Sequence, residues 1–115
     1  MSNPKYPILV TLAGAGPEGA TQATGGATIT DKSGTITSGG TAQTIAAANT
    51  IRRYLLIQNH SDTDAWVDFG TDAVAGQPSI KLYANGGSYE PLVISSASIS
   101  IYGAVTGKEF TAKEA

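Results

Sequence analysis

The chain has 115 residues, 41% of them hydrophobic and 14% charged, with seven Lys and Arg against nine Asp and Glu. That length suits one domain. The net charge of −2 offers no basic stripe for nucleic acid, and the lack of cysteine excludes disulfides and thiolate metal sites.

No apolar run approaches the ~20 residues of a membrane-spanning helix. Fourteen Gly and fourteen Thr stand beside few Leu, Glu or Lys. Gly and Thr are poor helix formers, while Thr, Val, Ile and Tyr suit strands. An all-β fold is expected.

Composition divides the chain near residue 40. Residues 1–40 are mostly Gly, Thr, Ala and Ser. Large apolar groups there are confined to Tyr6, Ile8, Leu9, Val10 and Leu12, then Ile29 and Ile36. Such a segment buries too little apolar surface to offset its own ordering. It reads as an extended N-terminal arm, with "YPILVTLA" as the one patch that wants a partner surface. The first sixteen residues have a weaker positive flank and shorter apolar core than a secretory signal, so assembly in the cytoplasm is expected.

From Thr41 the pattern becomes short strands separated by turn residues. The expected strands are "TAQTIA", Ile51–Asn59, Ala65–Phe69, "SIKLYA", "GGSYEPLVI", "SISIYGAV" and "KEFTAKE". Starts spaced by roughly 8–12 residues suit a β-sandwich or barrel. Ile99 and Ile101 share one face of their strand; Ile80 and Leu82 share one face of theirs. In "RRYLLIQN", Leu55 and Ile57 face one way, Tyr54 and Leu56 the other. Apolar groups on both faces call for cover on both. Asn85-Gly86-Gly87 suits the positive φ of a tight hairpin turn, and "HSDTD", His60–Asp64, reads as the loop of a second hairpin.

Several patterns resemble chemistry without completing it. "GAGPEG" (Gly14, Gly16, Gly19) has the spacing of a dinucleotide-binding loop, but no helix-forming stretch and no suitably placed acid follow it. His60 with Asp62, Asp64, Asp68 and Asp72 offers carboxylates for a Ca²⁺ ion, but without the fixed glycine and closing glutamate of a calcium loop. No G-x-S-x-G elbow accompanies the single His. Asp68 and Glu90 have no pattern pairing them across a cleft, as glycoside hydrolysis would need. No catalytic, cofactor or metal site is expected, and the protein reads as a non-enzyme. The aromatics Tyr54, Trp66, Tyr83, Tyr89 and Tyr102 suit either an interface or a sugar-stacking surface.

The order "ANTIRRYLLIQNHSDTDAWVDFG", "IKLYANGGSYEP", "SISIYGAVTGKEFTAKEA" resembles small virion proteins of tailed bacteriophages. The shared phrases are R-x-x-L-x-I-Q-N, V-x-F-G, G-G-x-x-E and a closing T-x-x-E, over about residues 48–115. They are structural phrases and carry no catalytic signature. The resemblance implies a β-sandwich or jelly-roll-like domain (41–115) behind the arm (1–40). It also implies a place on the virion, most simply as a capsid decoration or cement protein. Such proteins sit where shell subunits meet, often as dimers or trimers, so the implied partners are the major capsid protein or another virion protein, and further copies of this chain. No nucleic acid or membrane partner is expected. The interface residues expected are Tyr6, Ile8, Leu9, Val10, Tyr54, Leu56 and Trp66. The competing expectation is a tail or head-fibre adhesion module that binds host-surface carbohydrate through outward aromatics.

Overall fold

The computed structural model describes residues 26–115. Tyr6, Ile8, Leu9, Val10 and the glycine motif at 14–19 lie outside the described residues. The described part is all-β, with two antiparallel sheets and no helix.

In chain order the strands are β1 (Thr30–Asp31), β2 (Gly34–Thr35), β3 (Gln43–Ala46), β4 (Leu55–Asn59) and β5 (Ala65–Phe69). They continue with β6 (Ile80–Leu82), β7 (Ser88–Tyr89), β8 (Ile99–Gly103) and β9 (Glu109–Glu114). The first sheet runs β1-β9-β4-β7, with β2 also on β9; the second runs β3-β8-β5-β6. β1 and β2 are two halves of one interrupted strand. Between them the Ser33 side chain enters the ladder, accepting the Ala112 N–H at 3.0 Å, while Lys32 N–H donates to Ala112 O at 2.7 Å. Counted so, the pairings nest: first strand with last (β9), β3 with β8, β4 with β7, β5 with β6.

Alternation along each strand makes the core. Leu55, Ile57, Phe110 and Ala112 point in from the first sheet; Ala65, Val67, Leu82, Ile99 and Ile101 point in from the second. All belong to one buried cluster between the sheets, as period-two side-chain placement requires. Ile36 joins that cluster, 3% exposed, and lies on Gly103 of β8. A boundary after residue 40 would therefore cut through the core.

A Cβ on Gly103 would stand 2.8 Å from Ile36 Cγ1 and 3.0 Å from its Cδ1. Gly103→Ala is expected to destabilise by about 1–3 kcal/mol through overpacking. Thermal unfolding checks this, and an unchanged midpoint would mean that Ile36 can step aside.

Four expectations need correction. The stretch Arg52–Gly70 is not a hairpin: β4 pairs with β9 and β7, whereas β5 pairs with β8 and β6. Its polar loop is an arch from one sheet to the other. The turn at Asn85-Gly86 has the expected positive φ, 64° and 107°. It too joins strands in different sheets, since β6 lies in the second and β7 in the first. The strand expected over Ile51–Asn59 starts only at Leu55. Asn49 holds the preceding residues in a turn, its side-chain oxygen accepting the Ile51 N–H at 3.1 Å and its carbonyl accepting the Arg52 N–H at 3.2 Å. The strand expected in "GGSYEPLVI" is cut to Ser88–Tyr89, ahead of Pro91, which has no N–H to give a ladder.

Candidate functional site

Among the described residues, polar side-chain contacts mark two joints and two outer faces. The first joint is the arch. Asn59, 1% exposed, donates from Nδ2 to Thr63 O (2.7 Å) and to Leu82 O (3.1 Å) on β6. Its Oδ1 accepts from the Ser61 N–H and hydroxyl at 2.9 and 2.8 Å. One buried amide thus ties the last residue of β4 to a strand of the opposite sheet.

The arch's acids do not converge. Asp62 pairs with Lys108 at 2.7 Å, and this ion pair lowers its pKa. Asp64 Oδ1 accepts the Ala84 N–H at 2.9 Å and Oδ2 meets Lys81 at 3.3 Å; the backbone bond leads in lowering its pKa. Asp68 accepts from the Ser79 hydroxyl at 3.0 Å. His60 points away from all three, its Nε2 lying 2.7 Å from Thr111 Oγ1 on the outside of the first sheet. Among the described residues no three His, Asp or Glu side chains gather as metal ligands would. Asp68 and Glu90 lie outside different sheets and form no pair.

The second joint is at the other end of the sheets. Arg52, its side chain fully buried, donates from Nε to Glu114 Oε1 at 2.7 Å. Nη1 donates to Ser95 O (2.6 Å) and Ala97 O (3.0 Å), and Nη2 to Ala47 O (2.9 Å). One guanidinium therefore binds β9 and two loops together. Sequence reading passed over this pair. The available signal was Glu114 itself, an acid in phase with inward-facing Phe110 and Ala112 on β9, which calls for a buried cation.

The expected interface residues are split. Tyr54 and Leu56 are half-buried on the outer side of the first sheet; Trp66 is half-buried on the outer side of the second. The core lies between them, so no single patch holds all three. The Tyr54 hydroxyl donates to Glu90 Oε2 at 2.8 Å, and that carboxylate raises the phenol's pKa. Trp66 sits in register between Tyr102 and Lys81. It meets Tyr102 edge-on, with ring centres 6.0 Å apart and planes at 69°, and Lys81 Nζ reaches 4.6 Å from the Tyr83 ring. Loop 70–79 covers the neighbouring part of this face, where the Ser100 hydroxyl donates to Thr71 O and accepts the Ala73 N–H, both at 2.8 Å.

These contacts predict two titrations. A phenol raised above its ordinary value near 10 contributes stability below that pH, lost as pH rises through the folded value. Glu90→Gln should return Tyr54 toward the ordinary value, as read by ring-carbon NMR. On the acid side Asp31 is lowered to about 2, led by hydrogen bonds from Ser33. A depressed carboxyl stabilises above its unfolded value and stops doing so as pH falls through its folded one. NMR titration should find Asp31 still ionised at about pH 3.5, and Asp62 and Asp64 titrating on the acid side of the ordinary Asp value near 3.9.

Compared with protein-family models, curated proteins and solved structures, the chain matches none.

Proposed function

We propose that this chain is a structural protein of a bacteriophage virion and not an enzyme: a capsid decoration or cement protein. In this reading it works as a dimer or trimer on the major capsid protein, is made in the host cytoplasm, and ends on the particle. The two sheets are proposed to form a jelly-roll-like β-sandwich, preceded by an arm. The observation that carries this is the nested strand order. With β1 and β2 as one strand there are four strands on each sheet, paired from the outside in, an order that suits a rolled double Greek key. Such rolls recur in viral capsid domains and in lectins.

The residues behind the virion resemblance support the same reading. R-x-x-L-x-I-Q-N supplies Arg52 and Asn59, T-x-x-E supplies Glu114, and G-G-x-x-E supplies Glu90. Arg52, Asn59 and Glu114 close the two joints of the fold, and Glu90 holds Tyr54 on the outer side of the first sheet. A module spending its polar residues this way suits a permanent scaffold. Purified shells should bind the full chain, and deletion of residues 1–13 should abolish binding while leaving circular dichroism unchanged. Undiminished binding of the deleted form would remove the arm from the account.

The outer face with Trp66, Tyr102 and Tyr83 favours one second reading, a carbohydrate-binding adhesion module. Glycan-array binding abolished by Trp66→Ala, with the fold intact, would favour it over the first.

A further inference from the structure

The two ends of the sheets differ in character. One end carries the arch, loop 83–87 and loop 104–108, with the Asp62–Lys108 and Asp64–Lys81 ion pairs. The other carries loops 47–54, 70–79 and 90–98 and the chain's last residue. Of the seven large hydrophobic residues exposed in the described chain, five belong to this second end: Ile29, Ile51, Val74, Leu92 and Val93. Leu92 is fully exposed, Val93 87% and Ile51 79%. Their loops are anchored: Arg52 holds the carbonyls of Ala47, Ser95 and Ala97, and the Asn49 N–H donates to Ser96 O at 2.8 Å. Beside Ile51 lies an open depression of about 490 Å³ lined by Thr50–Arg53. An apolar surface held in place by a buried ion pair is a surface built to be covered.

The chain enters at this same end. Thr30 pairs with Glu114, the next-to-last residue, so the residues before Thr30 come in past Ala115. The twenty-five residues outside the described part include the most apolar segment of the sequence, Tyr6–Leu12. Thirteen residues separate Leu12 from Gly26. They span up to about 45–50 Å, enough to return to the end they leave. A short tether gives the attached segment an effective concentration in the millimolar range, far above that of any second copy in dilute solution.

We infer that, in the free protein, Tyr6–Leu12 of the same chain docks on the Ile51–Leu92–Val93 end. This does not rest on the virion reading. If both hold, binding a shell releases the segment and uncovers this end together, so two apolar surfaces become available at once.

The absence of cysteine makes the test direct. A nitroxide on Leu9→Cys should broaden the methyl NMR signals of Ile51, Leu92 and Val93 and spare Val105 at the opposite end. The double substitution Leu92→Ser/Val93→Ser, at exposed sites, should strongly reduce the broadening at Ile51. In a mixture of spin-labelled chain with isotope-labelled chain, no broadening should appear. Equal broadening at Val105, none at Ile51, Leu92 and Val93, or broadening only in the mixture would each overturn the inference. Failure of the chain to bind shells would overturn the virion reading and leave this result standing.

Discussion

Arg52→Met is expected to cost about 3–5 kcal/mol, the usual penalty for leaving one member of a buried pair without its partner. The carboxylate of Glu114, 11% exposed, would keep only Lys32, whose Nζ lies 3.9 Å away. Three carbonyls, of Ala47, Ser95 and Ala97, would lose their donors as well. The melting midpoint should fall by more than about 10 °C. Glu114→Gln should fall at the low end of that energy range, about 3 kcal/mol: the guanidinium keeps its carbonyls and a neutral acceptor, but its fully buried charge loses its counter-charge. The loss in the double variant Arg52→Met/Glu114→Met should fall well short of the sum of the Arg52→Met and Glu114→Met single losses, since neither charge is stranded. Strict additivity in chemical denaturation would show that the pair does not act as a unit.

Asn59→Asp is expected to be the second severe change, at about 3 kcal/mol or more near neutral pH. It is nearly isosteric. It replaces an amide that donates to Thr63 O and Leu82 O with a carboxylate that can only repel them. The pH dependence gives this prediction a signature. A buried carboxyl facing carbonyls has a folded pKa above its unfolded value near 3.9. Between those two values the folded state binds more protons than the unfolded one, so the variant loses stability as pH rises. Its deficit against the parent chain should shrink when pH is lowered toward 4. A deficit that does not change with pH would mean that the lesion is steric, with the amide's donors irrelevant.

Strand positions were largely legible because period-two alternation is a property of neighbouring residues. Ala65–Phe69 came out with both ends correct, and Ile99, Ile101, Ile80 and Leu82 face inward as their spacing indicates. Pairing was not legible. Leu55–Asn59 and Ala65–Phe69 have the same alternation whether the next strand lies beside the first or across the core from it. The arch is instead decided by one buried amide, Asn59, whose partner Leu82 is 23 residues away. The same blindness joined Tyr54 and Trp66 into one region. Alternation put each on the face opposite its strand's inward residues, but outward from opposite sheets is in opposite directions. Arg52 was missed because it sits in a turn, where alternation says nothing about which way a side chain points. Ile36 was grouped with the arm because its neighbours are Gly, Ser and Thr. Its burial depends on a glycine at position 103, far along the chain.

The proposed role makes the polar joints a means to an end, a rigid module whose apolar surfaces meet a shell. The most direct measurement is electron cryomicroscopy, with quantitative mass spectrometry, of the phage particles assembled in cells that make this chain. The account predicts many copies per particle, as dimers or trimers on the outside of the shell where capsid subunits meet. Particles that assemble without this chain bound, or that carry it only at the tail, would contradict it.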